Sequence, residues 1–276
     1  MKTILSVVMA TAVSIAAGVE AKSGLDPFFA NQSLQQQAPQ AFVLQPQAEG
    51  FLRSAWPQTQ QQGLALAAAI IEDDELAEAV SVWPELTFAK QQPLLQRIFE
   101  LQCQQMGIEA PTLLIDDSSY PDKMVYFDFD PATPDRGTVF LNSAKLAEQP
   151  PVVSLALLLH ETRHSYQFQL AFAQDNVLAQ GYRAAFKAQK QLAPKSFSDF
   201  LTLGNEYEAF QFANLVMGEL FNWKVDMPSM GTYASQYWAN KQLKIDLLEQ
   251  LDQHQPTPLL DLFNQQMQAQ KEKLGR

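Results

Sequence analysis

The most constraining feature of this sequence is a pair of histidines four residues apart in an apolar segment. The run Leu155–Gln167 contains the pattern HExxH, formed by His160, Glu161 and His164. On an α-helix, residues four apart lie one turn apart on the same face, so both imidazoles can reach a single ion. Burial of two imidazoles and a carboxylate on one helix would be unfavourable without such an ion. The pattern therefore predicts a buried helix that carries a metal site.

Glu161 directly follows the first histidine, and on a helix its side chain projects next to the ion without binding it. A carboxylate in that place can accept a proton from a water held by the metal and later give it to a leaving amine. Imidazole nitrogens of this spacing suit zinc, with bonds of about 2.0 to 2.1 Å. The pattern therefore predicts zinc as the cofactor and Glu161 as the general base.

A catalytic zinc has three protein ligands and one open position, so a third ligand must come from elsewhere in the chain. The extended pattern with a third histidine is excluded, because Gln167 and Leu170 occupy its glycine and histidine positions. His254 is the only other histidine, and it precedes Pro256 in a polar linker where we expect it to be solvated. The third ligand is therefore expected to be a carboxylate.

The segment 205–214 offers two carboxylates, Glu206 and Glu208. At 3.6 residues per turn, Glu206 shares a stripe with Ala209 and Phe210 that is otherwise apolar, and a carboxylate on a buried stripe needs a cation. Glu208 lies about 200° around the helix, on a stripe that is more compatible with water. We predict Glu206 as the third ligand, with Glu208 as the alternative. If it is not a ligand, Glu208 is either a surface charge or an acceptor for the N–H of a ligand histidine.

These residues resemble the gluzincin metallopeptidases, in which HExxH is followed some tens of residues later by a helix that carries a ligand glutamate. The stretch Glu206–Phe210 is similar to the E-x-x-A-D segment of one branch of that family, with Phe210 where the branch often has aspartate. The resemblance covers about residues 110–220 and implies a zincin-like fold, in which an edge strand binds extended substrate by strand addition. The run Gly137–Leu141 is similar to that edge strand.

The resemblance also implies a residue that stabilises the oxyanion formed on the attacked carbonyl, often Tyr, His or Arg. Tyr182, Arg183, Tyr207 and Tyr233 are the candidates in this chain, and each is also compatible with packing or a surface position. Arg163 lies between the two histidines and points away from the metal face. It is expected to be solvated or paired with an acid.

The N-terminal part of the chain has the pattern of an exported protein. Lys2 precedes an apolar stretch at 4–19, and a small-residue cleavage site follows at 19–21, as in a secretory signal peptide. The stretch is short of the roughly 20 residues that a bilayer requires, so we expect a periplasmic or secreted protein without a membrane span. Residues 22–63 are rich in glutamine and predict a loosely ordered arm. Residues 64–276 are expected to form the metallopeptidase domain.

Apolar periodicity predicts an α+β fold that is mostly helical, with a small sheet, an HExxH helix and a C-terminal helical part. Helices are expected at 64–72, around 94–102, and at 151–174, 197–221, 231–252 and 257–273. Three short runs rich in β-forming residues predict the strands: Thr112–Ile115, Met124–Phe129 and Gly137–Leu141.

Charge and cysteine content exclude several classes of partner and site. The formal net charge is -11, which disfavours general binding to a nucleic-acid backbone. The single cysteine, Cys103, permits neither an intrachain disulfide nor a cysteine-rich zinc module, and a free thiol of this kind is expected to be a small buried residue.

The sequence therefore predicts an exported zinc metallopeptidase that acts on extended peptide or protein segments. The peptide stem of a cell-wall polymer meets the same requirements. Two alternatives stay open. One is a zinc-binding module that docks a partner in the same groove and cleaves nothing. The other is a structural zinc with a fourth protein ligand, His254 or Glu208.

Overall fold

The computed structural model describes residues 28–193, 195–223, 237–238, 240–253 and 256–273. In these residues the fold is α+β and mostly helical, as expected, with one three-stranded sheet. The helices are α1 (Gln32–Gln35), α2 (Glu49–Glu72), α3 (Asp74–Val82), α4 (Phe88–Met106), α5 (Ser143–Ala147), α6 (Pro151–Ala173), α7 (Val177–Gln191), α8 (Phe197–Leu201), α9 (Gly204–Leu220), α10 (Leu247–Asp252) and α11 (Leu259–Lys273). The strands are β1 (Thr112–Asp116), β2 (Val125–Asp128) and β3 (Thr138–Asn142).

Helix α6 carries the HExxH pattern and is enclosed by other elements. It begins at Pro151, where the fixed φ angle and missing N–H of proline fit the first turn of a helix. Every residue at 153–168 is buried, because α4, α7 and α9 pack around the helix and β2 and β3 cover a further side. A helix buried on all faces carries its polar side chains into the core, where each of them needs a partner.

The sheet has the strand order β1-β3-β2, with β1 parallel and β2 antiparallel to β3. The expectation that the run Gly137–Leu141 is an edge strand is therefore wrong, because β3 pairs on both sides. The strand beside α6 at the edge of the sheet is β2, in which Phe127 is paired with Val139. Strand order depends on which chain segments meet in space, and the composition of β3 is compatible with either position.

The prediction of a loosely ordered arm is wrong for its described part, residues 28–63. Phe42 is fully buried, and α2 passes through the expected boundary at residue 63 without a break. Gln35 is also buried and donates a hydrogen bond to Asp199. Large apolar residues between the glutamines are buried in the core. The glutamine side chains are either exposed or hydrogen-bonded, so the glutamine content of this segment does not indicate disorder.

The remaining elements agree with the sequence patterns in part. The three strands and the helices α4, α6 and α11 lie where they are expected. Helix α2 includes the expected segment 64–72 but begins earlier, at Glu49. The sequence patterns do not predict α1, α3, α5 or α7. The helix expected at 197–221 is divided, since α8 ends at Leu201 and α9 begins at Gly204. Of the helix expected at 231–252, residues 231–236 and 239 lie outside the described residues, and only α10 is helical in the rest.

The expected signal peptide lies outside the described residues. Across the part of the chain that is described, none of the helices combines the length and the apolar character needed to cross a membrane. Cys103 is buried in α4 as expected, and burial raises the pKa of its thiol to about 12. A thiol of this kind is chemically inert at neutral pH.

Candidate metal centre

Helices α6 and α9 bring His160, His164 and Glu206 together in one buried group. The Nε2 atoms of the two histidines lie 3.0 Å apart. The Oε2 atom of Glu206 lies 3.3 Å from Nε2 of His160 and 3.4 Å from Nε2 of His164. Glu206 is in the first turn of α9, where the helix dipole favours a carboxylate. This group could hold a metal ion.

The spacing of the three donor atoms fits one small divalent ion. A tetrahedral ion with bonds of about 2.0 to 2.1 Å keeps its ligand atoms about 3.3 to 3.4 Å apart. The two distances from Glu206 Oε2 match this spacing, and the distance between the two imidazole nitrogens is slightly shorter. Within the described residues, no other His, Cys, Asp or Glu side chain joins the group.

The charges of the group are coupled because three titratable side chains share one buried site. Burial opposes ionisation of Glu206, but the two imidazoles lower its pKa to about 2. Burial alone would lower the pKa of His164, but the neighbouring Glu206 carboxylate raises it to about 9. Burial and the charge of His164 lower the pKa of His160. The Glu206 carboxylate therefore favours the protonated form of His164, and a divalent ion bound by the same atoms would compete with that proton.

Glu161 lies beside this group and lines the same cleft. Its side chain is almost enclosed, with 8 % relative exposure. Burial raises the pKa of its carboxyl group to about 8, and the nearby Glu206 acts in the same direction, whereas His164 and the backbone N–H of Phe127 act against it. The site therefore contains a carboxyl group with a pKa near neutrality that is not one of the three grouped donors.

The cleft has a volume of about 420 Å³ and opens over the candidate metal centre. Strand β2 forms one wall with residues 125–127, and most of the apolar side chains that line the cleft are aromatic. The aromatic side chains are Phe127, Phe129, Phe186, Phe200 and Phe210, with Tyr126 beside them. An apolar wall with a few converging polar groups is the usual character of a small-molecule or peptide site.

The other acid of α9, Glu208, does not face the metal centre. It is buried and pairs with Arg163, whose Nη2 and Nε atoms donate to Oε1 at 2.7 and 3.0 Å. The prediction that Glu208 is a surface charge is therefore wrong. For Arg163, the prediction of a pair with an acidic side chain is confirmed. Gln167 bridges Glu208 to His164, because its Nε2 donates to Oε2 of Glu208 and its Oε1 faces Nδ1 of His164. Glu208 is thus connected to His164, a candidate metal ligand, through the side-chain amide of Gln167 and not directly.

The three candidate metal ligands differ in whether the second polar atom of the side chain has a hydrogen-bond partner. Gln167 contacts Nδ1 of His164, and Gln189 donates to Oε1 of Glu206 at 2.9 Å. Nδ1 of His160 is buried without a hydrogen-bond partner among the described residues, and the Phe210 ring packs 4.0 Å from the imidazole centroid. Phe210 is therefore an apolar contact of a candidate ligand and not a hydrogen-bond acceptor.

None of the described candidates for oxyanion stabilisation lines the cleft. Tyr182 is fully buried against Phe51, and Tyr207 lines a different pocket. Arg183 donates to backbone carbonyl groups at the end of α6. Tyr233 and the alternative metal ligand His254 lie outside the described residues.

Gln189 and the aromatic wall were not identified from sequence. No local pattern marks them, because they reach the site through the packing of α7 and β2 against α6. No protein-family model, curated protein or solved structure matches this chain. What the site can do therefore follows from its own residues and their geometry.

Proposed function

We propose that this protein is an exported zinc-dependent metallopeptidase. The observation that supports this function best is the position of a fourth polar side chain, Glu161, beside three grouped metal donors at the floor of one cleft. Three protein donors leave one position of a tetrahedral ion open, which is the arrangement of catalytic and not of structural zinc sites.

The donor set favours zinc over harder cations. His160 and His164 offer imidazole nitrogens, whereas magnesium and calcium prefer oxygen ligands only. When bound by these residues and Glu206, zinc would supply a Lewis acid that polarises a peptide carbonyl and makes water acidic near neutral pH.

Glu161 supplies the proton transfers of the reaction. Its carboxyl group has a pKa raised to about 8 by burial in the metal-free protein. A cation held by the neighbouring donors favours the ionised form and lowers this pKa towards neutrality. As a carboxylate, Glu161 takes a proton from the attacking water, and as the acid so formed it gives that proton to the leaving amine.

The walls of the cleft support an extended peptide as the substrate. In the described part of the chain, β2 is paired with β3 on one side and with no strand on the other. The backbone N–H and C=O groups on that other side can pair with an extended peptide. The aromatic wall favours apolar side chains next to the scissile bond. A segment of an unfolded protein and the peptide stem of a cell-wall polymer both meet these requirements, and the expected signal peptide directs the protein to compartments where either can occur.

The test uses an unfolded protein labelled with self-quenching fluorophores. Cleavage of this substrate relieves the quenching, and the rise in fluorescence measures hydrolysis. We expect the purified protein to cleave this substrate, to lose the activity when a zinc chelator is added, and to recover it when zinc but not magnesium is returned. A zinc-loaded protein that cleaves neither unfolded protein, nor a peptide library, nor stem peptides would contradict the proposal and favour a binding module.

A further inference from the structure

Two glutamine side chains hold the candidate metal ligands in place, and both of them meet Asn205. Gln189 lies near the end of α7, and Gln167 lies one turn beyond HExxH on α6. Asn205 precedes Glu206 at the start of α9. Its side-chain amide donates to Oε1 of Gln189 at 2.7 Å, and its backbone carbonyl accepts from Nε2 of Gln167 at 2.9 Å. We call Gln167, Asn205 and Gln189 the amide network.

The partners of Gln189 fix which end of its amide faces the metal centre. A carboxylate oxygen only accepts hydrogen bonds, so Oε1 of Glu206 requires the NH₂ group of Gln189, at 2.9 Å. The amide oxygen of Gln189 then faces Asn205 and requires a donor, which the Asn205 amide supplies. One oxygen of Glu206 is thereby occupied. The other, Oε2, is the atom that lies within 3.4 Å of both histidine nitrogens.

The partners of Gln167 fix its amide in the same way. Its Nε2 atom donates to two acceptors, the Asn205 carbonyl and Oε2 of Glu208, so its Oε1 atom must be the end that faces Nδ1 of His164. An amide oxygen accepts only, so Nδ1 of His164 carries the hydrogen. The Nε2 atom of His164 is then the one available to a metal ion.

We propose that the amide network positions two of the three metal ligands, so that Glu206 binds through one oxygen and His164 through Nε2. The inference rests on the proposed zinc site and adds how that site keeps one position open for the reaction. A carboxylate that binds through both oxygens would take up the open position. Gln189 prevents this by holding Oε1 of Glu206 away from the ion. The three residues are positioning residues, since each acts on the metal through a ligand or through another amide.

The test compares two variants on the same helix, Gln189→Met and Gln191→Met. Methionine has a similar length to glutamine but no amide, and Gln191 is exposed two residues further along α7. We expect Gln189→Met to bind zinc about 10- to 100-fold more weakly than wild type, which is the usual effect of losing a partner of a metal ligand. Gln191→Met should bind zinc as wild type does. The melting temperature of the metal-free proteins shows whether both variants are folded.

Cobalt in place of zinc gives a second measurement that a general loss of stability would not reproduce. Four-coordinate cobalt absorbs visible light strongly, and higher coordination weakens the absorption. We expect strong absorption for wild type and Gln191→Met and weaker absorption for Gln189→Met, because both oxygens of Glu206 become free to bind. Asn205→Ala leaves Gln189 in the chain without its anchor and should change the spectrum in the same direction.

The possible outcomes separate this inference from the proposed function. If Gln189→Met and Asn205→Ala match Gln191→Met in both zinc affinity and cobalt spectrum, the amide network does not position the ligands, although the proposed function stands. A wild-type protein that takes up neither metal overturns both the proposed function and the inference.

Discussion

The Glu161→Gln variant is expected to retain one metal ion per chain and to hydrolyse peptides about 100- to 10,000-fold more slowly than wild type. Glutamine has nearly the shape of glutamate but cannot accept and return a proton at neutral pH. The three donor residues are unchanged, so metal binding should persist. Measurement of the hydrolysis rate together with the metal content of the same samples checks both parts of this expectation.

A matched control is Glu148→Gln, which removes an exposed carboxylate shortly before α6. This control should hydrolyse the substrate as fast as wild type. Full activity in the Glu161→Gln variant would exclude Glu161 as the proton carrier, and loss of its metal would mean that Glu161 supports the ion directly.

The second large effect concerns the buried pair of Arg163 and Glu208, which are 0 % and 1 % exposed. The Glu208→Leu variant leaves the Arg163 guanidinium group in the core without its carboxylate partner. Loss of one member of such a pair lowers the free energy of unfolding by about 3 to 5 kcal/mol, a large part of the roughly 5 to 15 kcal/mol typical of a folded protein. Urea unfolding of the metal-free proteins, with a chelator in every sample, measures this difference.

The double variant Arg163→Met with Glu208→Leu supplies the control for that prediction. Removal of both charges leaves no unpaired ion in the core, so the double variant should be more stable than the sum of the two single effects implies. Additive losses in the double variant would contradict a coupled buried pair.

The parts of the site that sequence could predict are those fixed by one helix. His160 and His164 meet because four residues make about one turn, a local geometry that holds wherever α6 packs. The choice of Glu206 over Glu208 rested on an apolar stripe, and the structure does bring Glu206 to the histidines. The same stripe pattern does not predict the burial of Glu208. Helix α9 is buried almost all around, and Arg163 from another helix pairs with this carboxylate in the core.

The parts that sequence could not predict depend on elements distant in the chain. Gln189 reaches Glu206 only because α7 packs beside α6 and α9, and glutamine at the end of a helix is otherwise ordinary. The order of the strands has the same origin, since β3 shows no feature that separates a central strand from an edge strand. Phe42 and its neighbours belong to the core for similar reasons, although the glutamine-rich composition around them predicts disorder.

Metal analysis of purified wild-type protein beside His160→Ala and Glu206→Ala variants tests whether these side chains bind zinc. We predict about one equivalent of zinc per chain in wild type and almost none in either variant, because two remaining donors do not hold zinc tightly. All three proteins should be folded by circular dichroism. A folded wild-type protein without zinc after incubation with the metal, or a His160→Ala variant that retains the full equivalent, would show that these residues do not form a zinc site.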